Sequence, residues 1–261
     1  MEFIRLSSGD TSVTISPEHG GRIAQIDAGG RQLLFDDPSQ GPIHWGSYPM
    51  VPWAGRIDHG RFTFSGHIHD LAINSDPHAL HGVGLMNPWT VDSVDTDQMT
   101  MSLTLDWPLG GIARQLLSVT DASVTCLLSV TAGAVPMPAV IGWHPWFIKP
   151  DSATLRFASM YVRGDDYLPT GQLAPATPPP WDDCFVEPLE TIELRYDEMR
   201  VQIESSCDHW VVFDQRPHST CVEPQSGPPN AFNLFNADGQ TVAAVLDPGE
   251  CLSHTMTIRW A

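Results

Sequence analysis

The chain has 261 residues, 42% hydrophobic and 17% charged, enough apolar surface for a sizeable core and too little charge for a disordered segment. Lys and Arg total 13 against 31 Asp and Glu, a formal net charge of -18 that repels phosphate backbones and anionic lipid. Nucleic-acid and membrane partners are therefore disfavoured, and Schiff-base chemistry would rest on the only lysine, Lys149.

The N-terminus carries Glu2 and Arg5 and turns polar at Ser7 and Ser8 before an apolar signal segment could form, and no later run is long enough to span a bilayer. With 21 Gly and 23 Pro, few stretches can hold a long helix. Ala28-Gly-Gly-Arg31 reads as a hairpin turn. Met99 to Trp107 alternates apolar and polar without a fault, as does a strand with one face on a core. The same period recurs at 124–130, 155–161, 192–196, 199–203 and 256–260. Between them, Leu168 to Trp181 is rich in proline and is expected as a loop draped over one sheet. Asn236-Ala-Asp-Gly239 is expected as a hairpin loop between Phe232–Phe235 and Val242–Leu246. Many short strands without βαβ alternation predict an all-β fold, a large antiparallel β-sandwich forming a single domain over 1–261.

Five cysteines, Cys126, Cys184, Cys207, Cys221 and Cys251, are odd in number and lack the spacing of a zinc ribbon or redox motif. They read as reduced thiols of a cytoplasmic protein. His59, His67, His69, His78 and His81 crowd one region, and His67 and His69 would share one face of a strand. No metal-ligand spacing is complete among them, so no metal site is assigned.

Three segments place ionisable groups among Gly, Pro and aromatics: Trp53–Ile57 with Pro77–Gly82, Ile141–Phe147, and Val222–Asn233. Each is expected at a strand end or loop entrance. His144 follows an apolar Val140–Trp143 strand and precedes Pro145, which keeps the chain extended. Trp143 and Trp146 beside it suit the apolar face of a sugar. The residues alone leave His144 open between an acid-base group and a structural histidine in an aromatic cluster. Glu223, locked by Pro224 beside an apolar run, becomes a proton acceptor near neutral pH if burial raises its pKa. Asp182 and Asp183 form an adjacent pair of which at least one is expected to cap a turn.

Taken together, these segments resemble the aldose 1-epimerase (galactose mutarotase) family, from Gly20-Gly-Arg-Ile23 to Pro248-Gly249. Ala54-Gly-Arg-Ile57 resembles the family's Asn-Arg-Ile motif, which implies sugar contact by Arg56. Leu80-His-Gly82 resembles its Leu-His-Gly-Gly stretch, which implies substrate binding by His81. Gly142–Phe147 is similar to the segment with the catalytic acid, placing it on His144. Asp182-Asp-Cys-Phe185 is similar to Asp-His-x-Phe and makes Asp182 a hydroxyl ligand, and Glu223–Asn233 puts the catalytic base on Glu223. Gly55, Val83 and Asp183 depart from the family's Asn, Gly and His. His78 is carried as a further substrate-binding residue.

The resemblance implies a galactose mutarotase-like supersandwich and a cytoplasmic isomerase of carbohydrate metabolism, monomer or homodimer, that interconverts the anomers of a small-molecule sugar. Glu223 and His144 would open and reclose the ring, with no metal or organic cofactor. A net charge of -18 favours a neutral sugar. Three alternatives stay open. One is a hexose-6-phosphate 1-epimerase, clamping phosphate with Arg22, Arg61 or Arg163; the others are a non-catalytic carbohydrate-binding protein and a glycosidase pairing Glu223 with Asp182.

Overall fold

Alternation turns into strand where each face of the pleat meets a different environment. Ile112–Thr120 shows the rule, with Ala113, Gln115, Leu117 and Val119 buried between more exposed neighbours. The computed structural model describes residues 3–261. The predicted strands form as Gln98–Thr104, Ser123–Thr131, Phe157–Arg163, Ile192–Tyr196, Met199–Ser205 and Cys251–Trp260. Helical structure among the described residues is confined to three-residue 3-10 turns, and no helix is long and apolar enough to cross a membrane.

Two large antiparallel sheets result. The first has 11 strands, ten of them in one path: Ile4–Ser8, Thr11–Ser16, Arg22–Ala28, Ser47–Met50, Gly142–Ile148, Ser219–Gln225, His209–Phe213, Asp182–Pro188, Phe157–Arg163 and Pro169–Pro175. The second has eight, with Ser123–Thr131 and Cys251–Trp260 paired at its centre. Their facing surfaces enclose the main core, in which Ile15, Ile26, Leu117, Leu128, Trp143, Phe147, Val212, Val222 and Ile258 are buried. A second apolar cluster, including Tyr48, Trp53, Phe62, Trp146, Cys221 and Phe232, involves the other face of the first sheet and loops near residues 53, 79 and 232.

The middle of the first sheet is where the backbone departs from a regular ladder. Gly142 pairs with Gln225, and pairing resumes only at Trp146 with Cys221. Pro145 and Pro224 lie in the gap, and neither has an N–H to give. That register sets His144 opposite Glu223 across the interruption. Gly142 is required by close approach: a Cβ there would lie 2.3 Å from the Pro224 carbonyl oxygen.

The Ala28–Arg31 turn is observed as a two-residue hairpin, with Gly29 and Gly30 at φ 61° and 91° as a primed turn needs. Other expectations are corrected. The proline-rich segment holds an edge strand, Pro169–Pro175, paired only with Phe157–Arg163, because an edge strand needs donors on one side only. Around Asn236–Gly239 only Phe235 and Thr241 bridge; Ala231–Asn233 is a 3-10 turn, and Ala244–Leu246 pairs instead with Met137–Ala139. The 99–107 run ends as strand at Thr104, and Trp107 turns into the loops, where its Nε1 donates to Gly110 O at 2.6 Å. His144 lies inside its strand rather than after it, since that strand begins at Gly142.

Filling the Gly142 contact should weaken the centre of the sheet. Gly142→Ala is expected to cost about 1–3 kcal/mol in denaturant unfolding, as overpacking against immobile backbone does.

Candidate active site

Period-two geometry sorts each central strand into a structural and a cavity face. Trp143 and Phe147 enter the inter-sheet core, whereas His144 and Trp146 face a cavity of about 380 Å³. The expected sugar-facing role of Trp143 is thereby corrected: its Nε1 donates to Gln115 Oε1 at 3.0 Å inside the core. On the neighbouring strand Val222 joins the core while Glu223 lines the cavity, and Val211 and Phe213 line it from the next strand. The two central residues thus sit mid-strand on the rigid sheet, not at the strand ends that the prolines imply.

His144 Nε2 lies 3.1 Å from Glu223 Oε1, with the residues 5% and 2% exposed. Burial pushes the Glu223 carboxyl well above its ordinary value, the nearby Asp182 charge adds to this, and Arg56 opposes it. Burial also lowers the His144 imidazole to about 3. Burial thus disfavours the charged form of each, and one proton moving along the contact interconverts a neutral pair and an ion pair. Tyr48 stacks on His144 at 4.9 Å and His81 meets it edge-on at 4.8 Å, so the imidazole plane is held on two sides.

His81 is set by its own backbone. It adopts φ 59° before Gly82 at 76°, a left-handed pair forced by proximity, since a Cβ on Gly82 would lie 2.1 Å from Val51 O. Its Nδ1 accepts the Gly55 N–H at 3.2 Å while its own N–H donates to Gly55 O at 2.9 Å. Burial lowers its pKa well below the usual range, so the ring is neutral and its proton resides on Nε2. Gly55 has φ 70°, and a Cβ there would lie 2.6 Å from Pro229, so both the backbone and the close approach require glycine at this position. Arg56 pairs with Leu80 in a two-residue ribbon, so one short element carries Arg56 beside His81. The Arg56 guanidinium stands 3.8 Å from Asp182 and 5.3 Å from the Tyr167 ring, a loose hold that leaves donors for a ligand.

Arg56, His81, His144, Asp182 and Glu223 all line this cavity. His78 does not: it is buried beside it, accepting the His59 N–H on Nδ1 at 3.2 Å and standing 3.7 Å from Asp58. Asp182 and Asp183 open a strand rather than capping a turn, and Asp183 receives Arg163 Nε at 2.7 Å. The arginines singled out for a phosphate are committed elsewhere. Arg22 is fully buried and donates to the carbonyls of His19, Pro42 and Trp45, and Arg61 holds Asp70 at 2.7 Å. Among the described residues two groups have metal-ligand chemistry, Asp58 with His59 and His78, and His81 with His144 and Glu223. In the second, His81 Nδ1 and His144 Nε2 are already engaged by Gly55 and Glu223. Sequence reasoning missed His44 and Arg216, which also line the cavity and belong to no motif. Their only signal is the scarcity of basic side chains.

The model of the aldose 1-epimerase family matches residues 2–259. The uncharacterized protein YphB of Escherichia coli K12 is 31% identical over 169 residues, 62% of this chain and 57% of that protein, so the match spans little more than half its length. YihR of the same organism, also uncharacterized, is 21% identical over 89% of this chain and 86% of its own. Among solved structures, a candidate aldose 1-epimerase of Escherichia coli K12 superposes with a TM-score of 0.87 at 22% identity, covering 100% of this chain and 99% of that one. A galactose mutarotase-like protein of Clostridium acetobutylicum gives 0.83 at 18% identity, covering 99% and 95%. At such identities these two likenesses speak for the fold, an all-β galactose mutarotase-like sandwich. With the family model matched from near one end to near the other, the chain belongs to the aldose 1-epimerase family.

Proposed function

We propose that the protein is a cytoplasmic isomerase that interconverts the α and β anomers of an aldose, with Glu223 as base and His144 as acid. The observation that carries this reading is the buried 3.1 Å contact between the two on the wall of a cavity sized for a small molecule. A sugar-binding protein without catalysis needs hydroxyl ligands and an aromatic face but no such pair.

In the reaction so read, Glu223 takes the proton of the anomeric hydroxyl while His144 gives one to the ring oxygen. The bond from C1 to the ring oxygen breaks and C1 becomes a carbonyl, with no charge left on the sugar. Rotation about C1–C2 presents the other carbonyl face. Reclosure returns the Glu223 proton to the carbonyl oxygen and the hydroxyl proton to His144. Opening thus converts a carboxylate–imidazolium pair into a carboxyl and a neutral imidazole, the state that burial favours. Around the pair, His81 Nε2 and Arg56 supply donors and Asp182 an acceptor for sugar hydroxyls, which fixes the reacting geometry.

Glu223→Gln is expected to lower anomer exchange by about 10²–10⁴-fold while titration still shows sugar binding. Proton exchange spectroscopy on equilibrated aldoses reads this directly, and unchanged turnover would overturn the assignment.

The same residues make stability depend on pH. Glu223, raised above its usual 4.5, stabilises the fold fully below that value and loses the contribution as pH climbs through its raised pKa. His144, lowered from 6.5 to about 3, contributes fully above 6.5 and loses its contribution as pH falls toward 3. Glu223→Gln should therefore melt higher than the parent at alkaline pH, with the gap closing on acidification in a thermal scan series.

A further inference from the structure

In a chain with 31 acidic against 13 basic residues, an arginine on a cavity wall is judged by whether it has a carboxylate partner. Arg31, Arg61, Arg156, Arg163, Arg195 and Arg259 each hold one. Arg216 lines the cavity, yet it has no ion pair and donates no hydrogen bond among the described residues. Its guanidinium lies 4.8 Å over the Trp146 ring, and Trp146 lies 5.1 Å from His144. Asp214, two residues before Arg216 in sequence, accepts the Trp181 N–H at 2.7 Å. Arg56 is faced by Asp182, and Glu223 is held against His144 in a buried contact. Arg216 is left as the unopposed charge, so the cavity runs against the sign of the whole molecule.

Where that charge sits has a chemical meaning once the sugar is oriented. His144 addresses the ring oxygen, and the ring oxygen is bonded to C5, which bears the exocyclic carbon. The group on that carbon is thus the one that reaches past His144 toward Trp146 and the guanidinium above it. A hydroxymethyl group needs no full positive charge there. A carboxylate or phosphate matches the planar fork of an arginine already stacked in place.

We propose that Arg216 is the recognition point for an anionic substituent on the exocyclic carbon, making the substrate class an acidic aldose. This rests on the anomer-exchange reading above. It also reverses the expectation of a neutral sugar, which averages charge over the chain although a ligand meets only the local field.

The test compares kcat/KM for anomer exchange of glucose, galactose, glucuronate and glucose 6-phosphate in the parent, Arg216→Gln and Arg216→Lys. In the parent, glucuronate or glucose 6-phosphate should exceed glucose by about ten- to a hundredfold, as one charge-assisted contact provides, and the preferred one tells carboxylate from phosphate. The ratio of acidic to neutral turnover should collapse in Arg216→Gln, survive in part in Arg216→Lys, and fall with added salt. Glucose or galactose turned over as well as either acidic sugar, or a ratio unchanged in Arg216→Gln, would overturn the inference. If no aldose is interconverted, the acid-base reading fails separately. Calorimetric binding of either acidic sugar, lost in Arg216→Gln, would then still establish the anion site, and its absence would remove it.

Discussion

Everything at this site depends on keeping one carboxyl and one imidazole dry and in contact. In water, Glu223 would be a carboxylate and His144 largely neutral, with little reason to exchange a proton. At 2% and 5% exposure both charged forms are disfavoured together, and the two groups stand 3.1 Å apart, within reach of one proton. Burial of this kind is expensive unless the groups satisfy each other, which is why the contact must be direct.

The sheet supplies that contact by an irregularity. A continuous ladder would pair the backbone at every position of the two central strands. Instead the pairing lapses where Pro145 and Pro224 stand, and the side chains of His144 and Glu223 bridge the same stretch. Around this fixed centre the remaining ligands come from short, strained elements. His81 and Gly55, both at positive φ, lock each other through one side-chain and one backbone hydrogen bond, and the Arg56 ribbon rests on the same lock. Rigid strands thus hold the His144–Glu223 pair, and short ribbon and loop elements hold His81 and Arg56 beside it.

Much of this was legible in the residues. Period-two runs predict the strands because an apolar-polar alternation has one stable solution in water, a half-buried sheet. His144-Pro145 and Glu223-Pro224 stand out because a proline fixes the chain beside an ionisable group. The failures are of another kind. The prolines between 168 and 181 argue for a loop only when both neighbours of a strand are assumed, and an edge has one. Trp143 and Trp146 look alike in sequence; only the pleat sends them to opposite faces. Arg216 and His78 could not be sorted at all, because whether a charged side chain faces a cavity or packs a loop is decided by partners far along the chain.

The sorting of odd from even positions also bears on how such a protein can change over evolutionary time. Along Gly142–Ile148 and Ser219–Gln225, neighbouring residues belong to the core and to the cavity by turns. A deletion or insertion of a single residue would exchange the two sets, turning Trp143 outward and His144 into the apolar interior. These strands can accept substitutions yet are closed to changes of length. The loops above the cavity carry no such parity, so a change of length there leaves the two faces of the central strands in place.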